Sequence, residues 1–427
     1  MLTAVLLALA GAGQRRAVPE TPPSVIVFDL DDVAAVDVST YGGHAPTPNL
    51  DALAARGVRF DDFQAAPTCS PSRRCLQTGR WWLRESGHAC SPADATTPPL
   101  STVFLPEALP GYSSALFGKW HLGGDPAGGP WQMAPISQGW EHWIAGQDQN
   151  VGDCGGSDFM DWDRVDADAL GYVEGISHAY EPAAVAYQFA LAWPLAPKPG
   201  IAMVCTNLAH VPFHIPPPYA LPPGYSIGAL SNRSKYEADI AAYDYLIGRM
   251  LSLVDLDHTV VIVLGDNGTP LNAAGADRDK AKGTTFWRGL ETPLVISGPG
   301  FVQGVVAPDL CHLVDVYATI VDIAGGPPVP GCDGVSLLPT LNGAPHAPYH
   351  DVVLCGDLWN DPAGGDRAAI SLGWKLRQLD PDGDGVPDSE ELYDEIGDPH
   401  ENVNRIGDTS LASIAASLRA FIAAESP

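Results

Sequence analysis

Lysine is nearly missing from this chain, with six in 427 residues. Lys and Arg together number 23 against 51 Asp and Glu, and the resulting net charge of −28 excludes a general hold on nucleic acid, whose phosphates demand clustered cations. Any anionic substrate must instead meet a local group of positive side chains. Long apolar runs are equally scarce. The stretch from Leu2 to Ala10 is too short to span a bilayer, and nothing later in the chain reads as a membrane span. Internal repeats and long low-complexity segments are absent too. Cysteine is limited to eight, so once one is set aside for chemistry at least one of the rest stays unpaired.

What is present is enough apolar material, 45% of residues, to bury a large core. Ser24 to Leu30, Ile201 to Thr206, Val260 to Leu264 and Pro293 to Ser297 read as short buried strands. Tyr236, Ile240, Tyr243, Ile247 and Leu251 recur at helical spacing, which predicts a helix from roughly Tyr236 to Val254 with a core-packing stripe. Strands alternating with helices predict an α/β fold, a large mixed and mostly parallel sheet sandwiched by helices. After Asn342-Gly343-Ala344-Pro345 the pattern shifts to short strands and one late helix, whose apolar face carries Leu411, Ile414, Leu418, Phe421 and Ile422. That predicts a smaller C-terminal α+β subdomain, an antiparallel sheet with one helix. The expected division is 1–12, 22–345 and 346–427.

The densest chemistry lies in Cys69-Ser70-Pro71-Ser72-Arg73, followed by Arg74-Cys75-Leu76-Gln77-Thr78-Gly79. Pro71 suits the first position of a helix and Gly79 its end, so Cys69 is expected at a helix start, where free N–H groups favour an anion. Arg73 lies one turn on, on the same side, whereas Cys75 suits core packing. Upstream, the first apolar strand runs into Asp29, Asp31 and Asp32, hard oxygen ligands at the carboxyl edge of a sheet. Thr47-Pro48-Asn49-Leu50 opens a helix by its chemistry, with Gly57 as the stop.

Lys119 and His121 stand two apart, and on an extended segment both project from one face. The strand ending at Thr206 is followed by Asn207 and His210-Val211-Pro212. His214 competes with His210 for a proton-transfer role. The strand ending at Leu264 leads into Gly265-Asp266-Asn267-Gly268, a turn that also offers one carboxylate and one amide oxygen. Lys282-Gly283-Thr284-Thr285 places another of the rare lysines ahead of the next strand.

Taken together, these segments resemble the sulfatase family. The resemblance covers nearly all of the chain after its first residues. It rests on ten positions in order: Asp31, Asp32, Cys69, Arg73, Lys119, His121, His210, Asp266, Asn267 and Lys282. Softer likeness extends over Gly139 to Gly146, Asp315 to Leu337, and Glu391 to Asp394 with Asp398-Pro399. Two places depart from the family's pattern. Ala34-Ala35-Val36 stands where Gly-Tyr-Gly is usual, and Trp287-Arg288-Gly289 then Leu290-Glu291 stands where relatives read Glu-Gly-Gly and then an arginine.

The resemblance implies an arylsulfatase-like sulfuric ester hydrolase of the alkaline phosphatase superfamily. By that likeness, a maturation enzyme, formylglycine-generating or equivalent, converts Cys69 to formylglycine, and the hydrate of that aldehyde attacks sulfur. Asp31, Asp32, Asp266 and Asn267 would hold Ca²⁺, with Mg²⁺ as the other possibility. Arg73 and Lys119 would hold sulfate oxygens, His210 with Lys282 would protonate the leaving alcohol, and His121 would take the proton that releases sulfate. The implied substrate is a sulfated small molecule or glycan. A phosphonate or phosphodiester hydrolase using the same aldehyde is the alternative enzyme. A binder of sulfated glycans with an unmodified cysteine is the alternative from another class. Trp81 and Trp82 could stack on sugars in such a binder, although core packing suits them better.

One feature lies outside the resemblance. Asp380, Asp382, Asp384, Asp388 and Glu391 fall at positions 1, 3, 5, 9 and 12 of a calcium-loop pattern with Gly385 at position 6. A second, structural Ca²⁺ is the expectation, at 380–391, after a strand rather than a helix. Finally, Leu2 to Ala10 followed by Ala10-Gly11-Ala12 reads as a signal peptide that lacks a basic start. It implies export, periplasmic or secreted, where disulfides are possible, and Cys311 with Cys332 is the expected bridge.

Overall fold

Residues 22–85, 99–151, 158–357, 365–382, 384 and 386–426 are described by a computed structural model. The segment 1–12 and the loop glycines Gly383 and Gly385 lie outside them. In chain order the first strands are β1 (Ser24–Leu30), β2 (Val58–Gln64), β3 (Ser113–Lys119), β4 (His142–Gln147) and β5 (Trp162–Asp168). Then come β6 (Gly171–Ser177), β7 (Gly200–Cys205), β8 (Thr259–Gly265), β9 (Leu294–Ser297) and β10 (Val305–His312). They form one sheet in the order β10-β2-β9-β8-β1-β7-β3-β4-β5-β6. Its middle, β8-β1-β7-β3-β4, is parallel, and antiparallel pairings flank it. The sheet is therefore mixed and mostly parallel at its centre.

β1, β7 and β8 are buried along their whole length, which is why they read as unbroken apolar runs. Successive side chains still go to opposite faces. Val25 and Val27 enter one core cluster with Ile201, Met203, Val260 and Ile262, while Ile26 and Phe28 enter the other with Ala202, Val204, Val261 and Val263. The second layer is closed by the helices Glu181–Ala192 and Asn232–Leu251. The latter starts earlier than periodicity indicated, because the Ser231 side chain accepts the Ser234 N–H and caps it, and it ends at Leu251 rather than Val254. Tyr236, Ile240, Tyr243 and Ile247 are buried as expected.

On the other face lies the helix Cys69–Thr78, against Leu313–Ile323. It begins at Cys69 itself, so Pro71 occupies the third position rather than the first, and Gly79 closes it at φ 69°. The helix Pro48–Arg56 does start on its proline, but Thr47 makes no side-chain cap; its hydroxyl pairs with that of Ser39 at 2.9 Å. Cys75, Trp81 and Trp82 are all core residues.

β11 (Val352–Asp357), β12 (Gly365–Ser371), β13 (Trp374–Asp380) and β14 (Ser389–Asp394) make a separate antiparallel sheet, and the helix Ala412–Glu425 covers it with Leu418 and Ile422 buried. This sheet abuts the segment that follows Lys282. Arg377 donates to Thr285 Oγ1 at 2.8 Å and lies 3.5 Å from the centre of the Phe286 ring, and Asp366 accepts the Thr285 N–H at 3.2 Å.

The expected Cys311–Cys332 bridge is not formed, and both are free thiols. Cys311 sits on β10 with its sulfur 3.6 Å from the Asp62 carbonyl on β2, whereas Cys332 faces the Gly334 carbonyl beyond the helix. The strand pairing turns the first thiol away from the second.

Candidate active site

Parallel strands deliver the loops at their carboxyl ends to one edge of a sheet. Here β1 ends ahead of Asp31 and Asp32, β8 ahead of Asp266 and Asn267, β7 ahead of His210, and β3 at Lys119. The Cys69–Thr78 helix points its N-terminus at the same place. The Cys69 sulfur lies 3.4 Å from Asp31 Oδ1, 3.7 Å from Asp32 Oδ1 and 3.3 Å from Lys282 Nζ. Asp31, Asp32, Cys69 and Asp266 each bring a ligand atom within 4.8 Å of the others, and so, as a second set, do Asp32, Cys69 and His210.

The carboxylates are crowded. Burial, with Asp31 and Asp29 adding, pushes Asp266 up to about 8, against the pull of Arg73 and Lys119. Burial also acts on Asp31, but Lys119, His210, Arg73 and Lys282 together hold it below the usual carboxylate range. Asn267 donates through Nδ2 to Asp32 Oδ1 at 2.7 Å, and its Oδ1, like Asp32 Oδ2, is buried without a hydrogen-bond donor among the described residues. Three carboxylates and an amide oxygen with acceptor atoms left open form a donor set that suits a hard divalent cation.

The Cys69 thiol is pushed well above its ordinary value, by burial first and then by Asp266. An unmodified Cys69 is therefore held protonated and is a weak nucleophile at neutral pH.

Arg73 and Lys119 are fully enclosed. Arg73 Nη2 reaches Asp29 Oδ2 at 2.8 Å and Asp266 Oδ2 at 3.3 Å, and Nη1 donates to the Lys119 carbonyl at 3.2 Å. Lys119 Nζ donates to Asp31 Oδ2 at 2.5 Å and to the Asn150 side-chain oxygen. Lys282 Nζ donates to Asp32 Oδ1 at 2.6 Å. Asp29 and Asn150 were not among the expected site residues. A third aspartate at a strand end carries no distinguishing neighbour in sequence, and the only cue for Asn150 was its place just beyond an apolar strand.

The two expected histidines approach differently. His210 Nδ1 donates to the Val211 carbonyl at 2.7 Å, which leaves Nε2 facing Asp32 Oδ2 at 3.8 Å. Burial, then Lys282, lowers its pKa. His121 adopts φ 58°, so the extended spacing expected from Lys119 ends with β3. Its ring is buried, Nδ1 has no hydrogen-bond partner among the described residues, and burial with Lys119 and Arg73 drives its pKa well down. The competitor His214 is stacked on Phe159 at 4.1 Å with Nε2 3.0 Å from the Tyr180 hydroxyl, which engages it in an aromatic cage.

At the β13–β14 turn, the carboxylates of Asp380, Asp382 and Asp384 gather within 4.8 Å. Asp388 and Glu391 are not in that group. Glu391 lies opposite Arg377 in the strand register and binds its guanidinium, so hairpin pairing takes the twelfth-position oxygen away from the loop.

Residues 23–326 match the family model described as Sulfatase, and the chain belongs to that family, a sulfuric ester hydrolase. It is 29% identical over 382 residues to the N-acetylgalactosamine-6-sulfatase of Canis lupus familiaris, covering 79% of this chain and 70% of that protein. The solved structure of BT4656 in complex with its substrate D-glucosamine-2-N,6-O-disulfate is similar at a TM-score of 0.74 and 19% identity, over 94% of this chain and 97% of that one. The phosphonate monoester hydrolase of Agrobacterium radiobacter is similar at 0.73 and 20%, over 94% and 95%. At these identities both structures speak to the fold. No helix among the described residues is long and apolar enough to cross a membrane.

Proposed function

We propose that this protein hydrolyses a sulfate monoester carried on a sugar or other small alcohol, with Cys69 converted to formylglycine as the nucleophile. The observation that carries the reading is the Cys69 side chain at a helix N-terminus, 3.3 Å from Lys282 Nζ and 3.4 Å from Asp31, in a setting that keeps a plain thiol protonated. The family membership supports the reaction class, and the disulfated glucosamine bound by one structural neighbour supports a sugar as the alcohol.

Asp31, Asp32, Asp266 and the free Oδ1 of Asn267 would hold Ca²⁺, or Mg²⁺. When bound, such an ion lowers the pKa of the hydroxyl that attacks. Lys119 and Arg73, with the helix N-terminus, neutralise the sulfate oxygens, and Lys282 shares that task next to the leaving group. His210 presents Nε2 to protonate the departing alcohol, and His121 takes the proton whose loss releases sulfate and restores the aldehyde. A maturation enzyme must act on Cys69 beforehand, which fits an exported protein, periplasmic or secreted, with 22–345 as the catalytic unit and 346–427 as its support. Asp380, Asp382 and Asp384 would offer three oxygens to a second Ca²⁺, with Asp388 and Glu391 reaching them only after rearrangement.

The deciding experiment is the mass of the tryptic peptide containing Cys69, from a host that matures sulfatases. A loss of about 18 Da relative to the cysteine form supports the reading. An intact thiol, in a host shown to convert a control sulfatase, overturns it. Relative rates on an aryl sulfate and an aryl phosphonate then separate this reaction from that of a phosphonate hydrolase.

A further inference from the structure

Asp37 lies five residues beyond Asp32 on a short helical turn, is fully buried, and touches neither Cys69 nor the carboxylates around it through any described hydrogen bond. Four side chains converge on it. Oδ1 accepts from Arg233 at 2.7 Å and from Arg288 at 3.3 Å, and Oδ2 accepts from Thr269 Oγ1 at 2.6 Å and lies 2.7 Å from the Tyr236 hydroxyl. That hydroxyl is also 2.8 Å from the Asp32 carbonyl. Asp32 itself has φ 65°, a backbone conformation that a non-glycine residue keeps only when its surroundings enforce it.

Thr269 follows Asp266, Asn267 and Gly268 in the loop after β8. Its carbonyl accepts the Lys282 N–H at 2.9 Å, its N–H donates to the Arg288 carbonyl at 3.2 Å, and its hydroxyl accepts from Arg288 Nε at 3.2 Å. One carboxylate thus ties together the loop carrying Asp31 and Asp32, the loop carrying Asp266 and Asn267, the Lys282 segment and the Asn232–Leu251 helix. Arg288 belongs to the stretch where this chain departs from the family's pattern.

We infer that Asp37, with Tyr236, Thr269 and Arg288, is a positioning clamp that sets the spacing of the cation-binding oxygens. The inference rests on the proposed metal site. A buried carboxylate held by two guanidinium partners and two hydroxyls resists displacement, since withdrawing a partner leaves the Asp37 charge less compensated away from water. Outer groups of this kind govern how well ligands meet a metal.

The test is calorimetric titration of Ca²⁺ into chelator-stripped full-length protein, alongside its melting temperature. Tyr236→Phe and Thr269→Val each remove one hydroxyl, and each is expected to weaken Ca²⁺ binding about 10- to 100-fold. Thr269→Ser, which keeps the hydroxyl, is expected to retain wild-type affinity. Variants that melt earlier but bind Ca²⁺ as tightly as wild type reduce the clamp to an ordinary structural network and overturn the inference. Wild-type protein that binds neither Ca²⁺ nor Mg²⁺ overturns the metal reading itself, a different result from the same titration.

Discussion

Lys282 Nζ stands 3.3 Å from the Cys69 sulfur, although 213 positions separate the two in the chain. The same ammonium holds Asp32 Oδ1 at 2.6 Å, so one cation touches both the nucleophile position and a carboxylate of the candidate metal site. Burial opposes its charge, but the carboxylates of Asp32 and Asp31 outweigh that and raise its pKa, so Lys282 stays cationic. Replacing Lys282 with Ala is expected to lower turnover of an aryl sulfate about a hundredfold or more, as is Lys119→Ala. Steady-state kinetics check this, and unchanged turnover would remove the residue from the site.

Chelation should cost stability as well as activity. Asp31, Asp32 and Asp266 bring carboxylate oxygens close together, Asp32 Oδ2 and Asn267 Oδ1 have no donor among the described residues, and a cation that binds only the folded chain adds about 2.7 kcal/mol when present at a hundred times its Kd. The expected outcome is a lower Tm after EDTA treatment that Ca²⁺ restores, read by differential scanning calorimetry. A Tm indifferent to both would argue that these oxygens hold no metal.

Glu181 gives a pH dependence of definite sign. It is fully enclosed at the start of its helix, accepts the Asn207 N–H at 3.3 Å, and burial pushes it up to about 8 from an ordinary 4.5. A carboxyl whose folded pKa is raised contributes stability that is fully present below the unfolded value and lost as pH rises through the folded one. Wild-type Tm is therefore expected to fall between pH 5 and 9, and Glu181→Gln to fall less over that window. Parallel curves for the two proteins would contradict the assignment.

The free thiols make a simple chemical prediction. Cys311 is buried on β10 and Cys332 is partly open, so alkylation of the native protein should mark Cys332 well before Cys311. Peptide mapping without reductant is expected to yield no fragment joining the two. Finding that fragment would mean the strand and the following loop approach more closely than described.

Much of the site was legible because each motif follows a short apolar strand or opens a helix, and those patterns are local. The carboxyl ends of β1, β7 and β8 fall where the apolar runs stop, so Asp31, His210 and Asp266 each read as lying just past a strand, and the parallel pairing of those strands brings them to one edge. The same locality misled at Glu391. A twelve-residue spacing describes a loop, but the segment folds as a hairpin, and cross-strand pairing gave that carboxylate to Arg377. The two departures from the family's pattern, at Ala34-Ala35-Val36 and at Arg288, both meet Asp37: the Ala34 carbonyl accepts its N–H and Arg288 supplies a charge.

Local sequence was enough to set the order of the strands along the chain, the glycine that closes the Cys69 helix, and the chemical types gathered at the sheet's edge. Those depend on neighbours a few residues apart. The ion pairs had to wait for the folded chain: Arg73 with Asp29, Lys119 with Asp31, Lys282 with Asp32, and Asp37 with Arg233 and Arg288. A charge taken out of water must find an opposite charge within a few ångströms, and which one it finds depends on how distant segments cross, a relation that spacing along the chain does not encode.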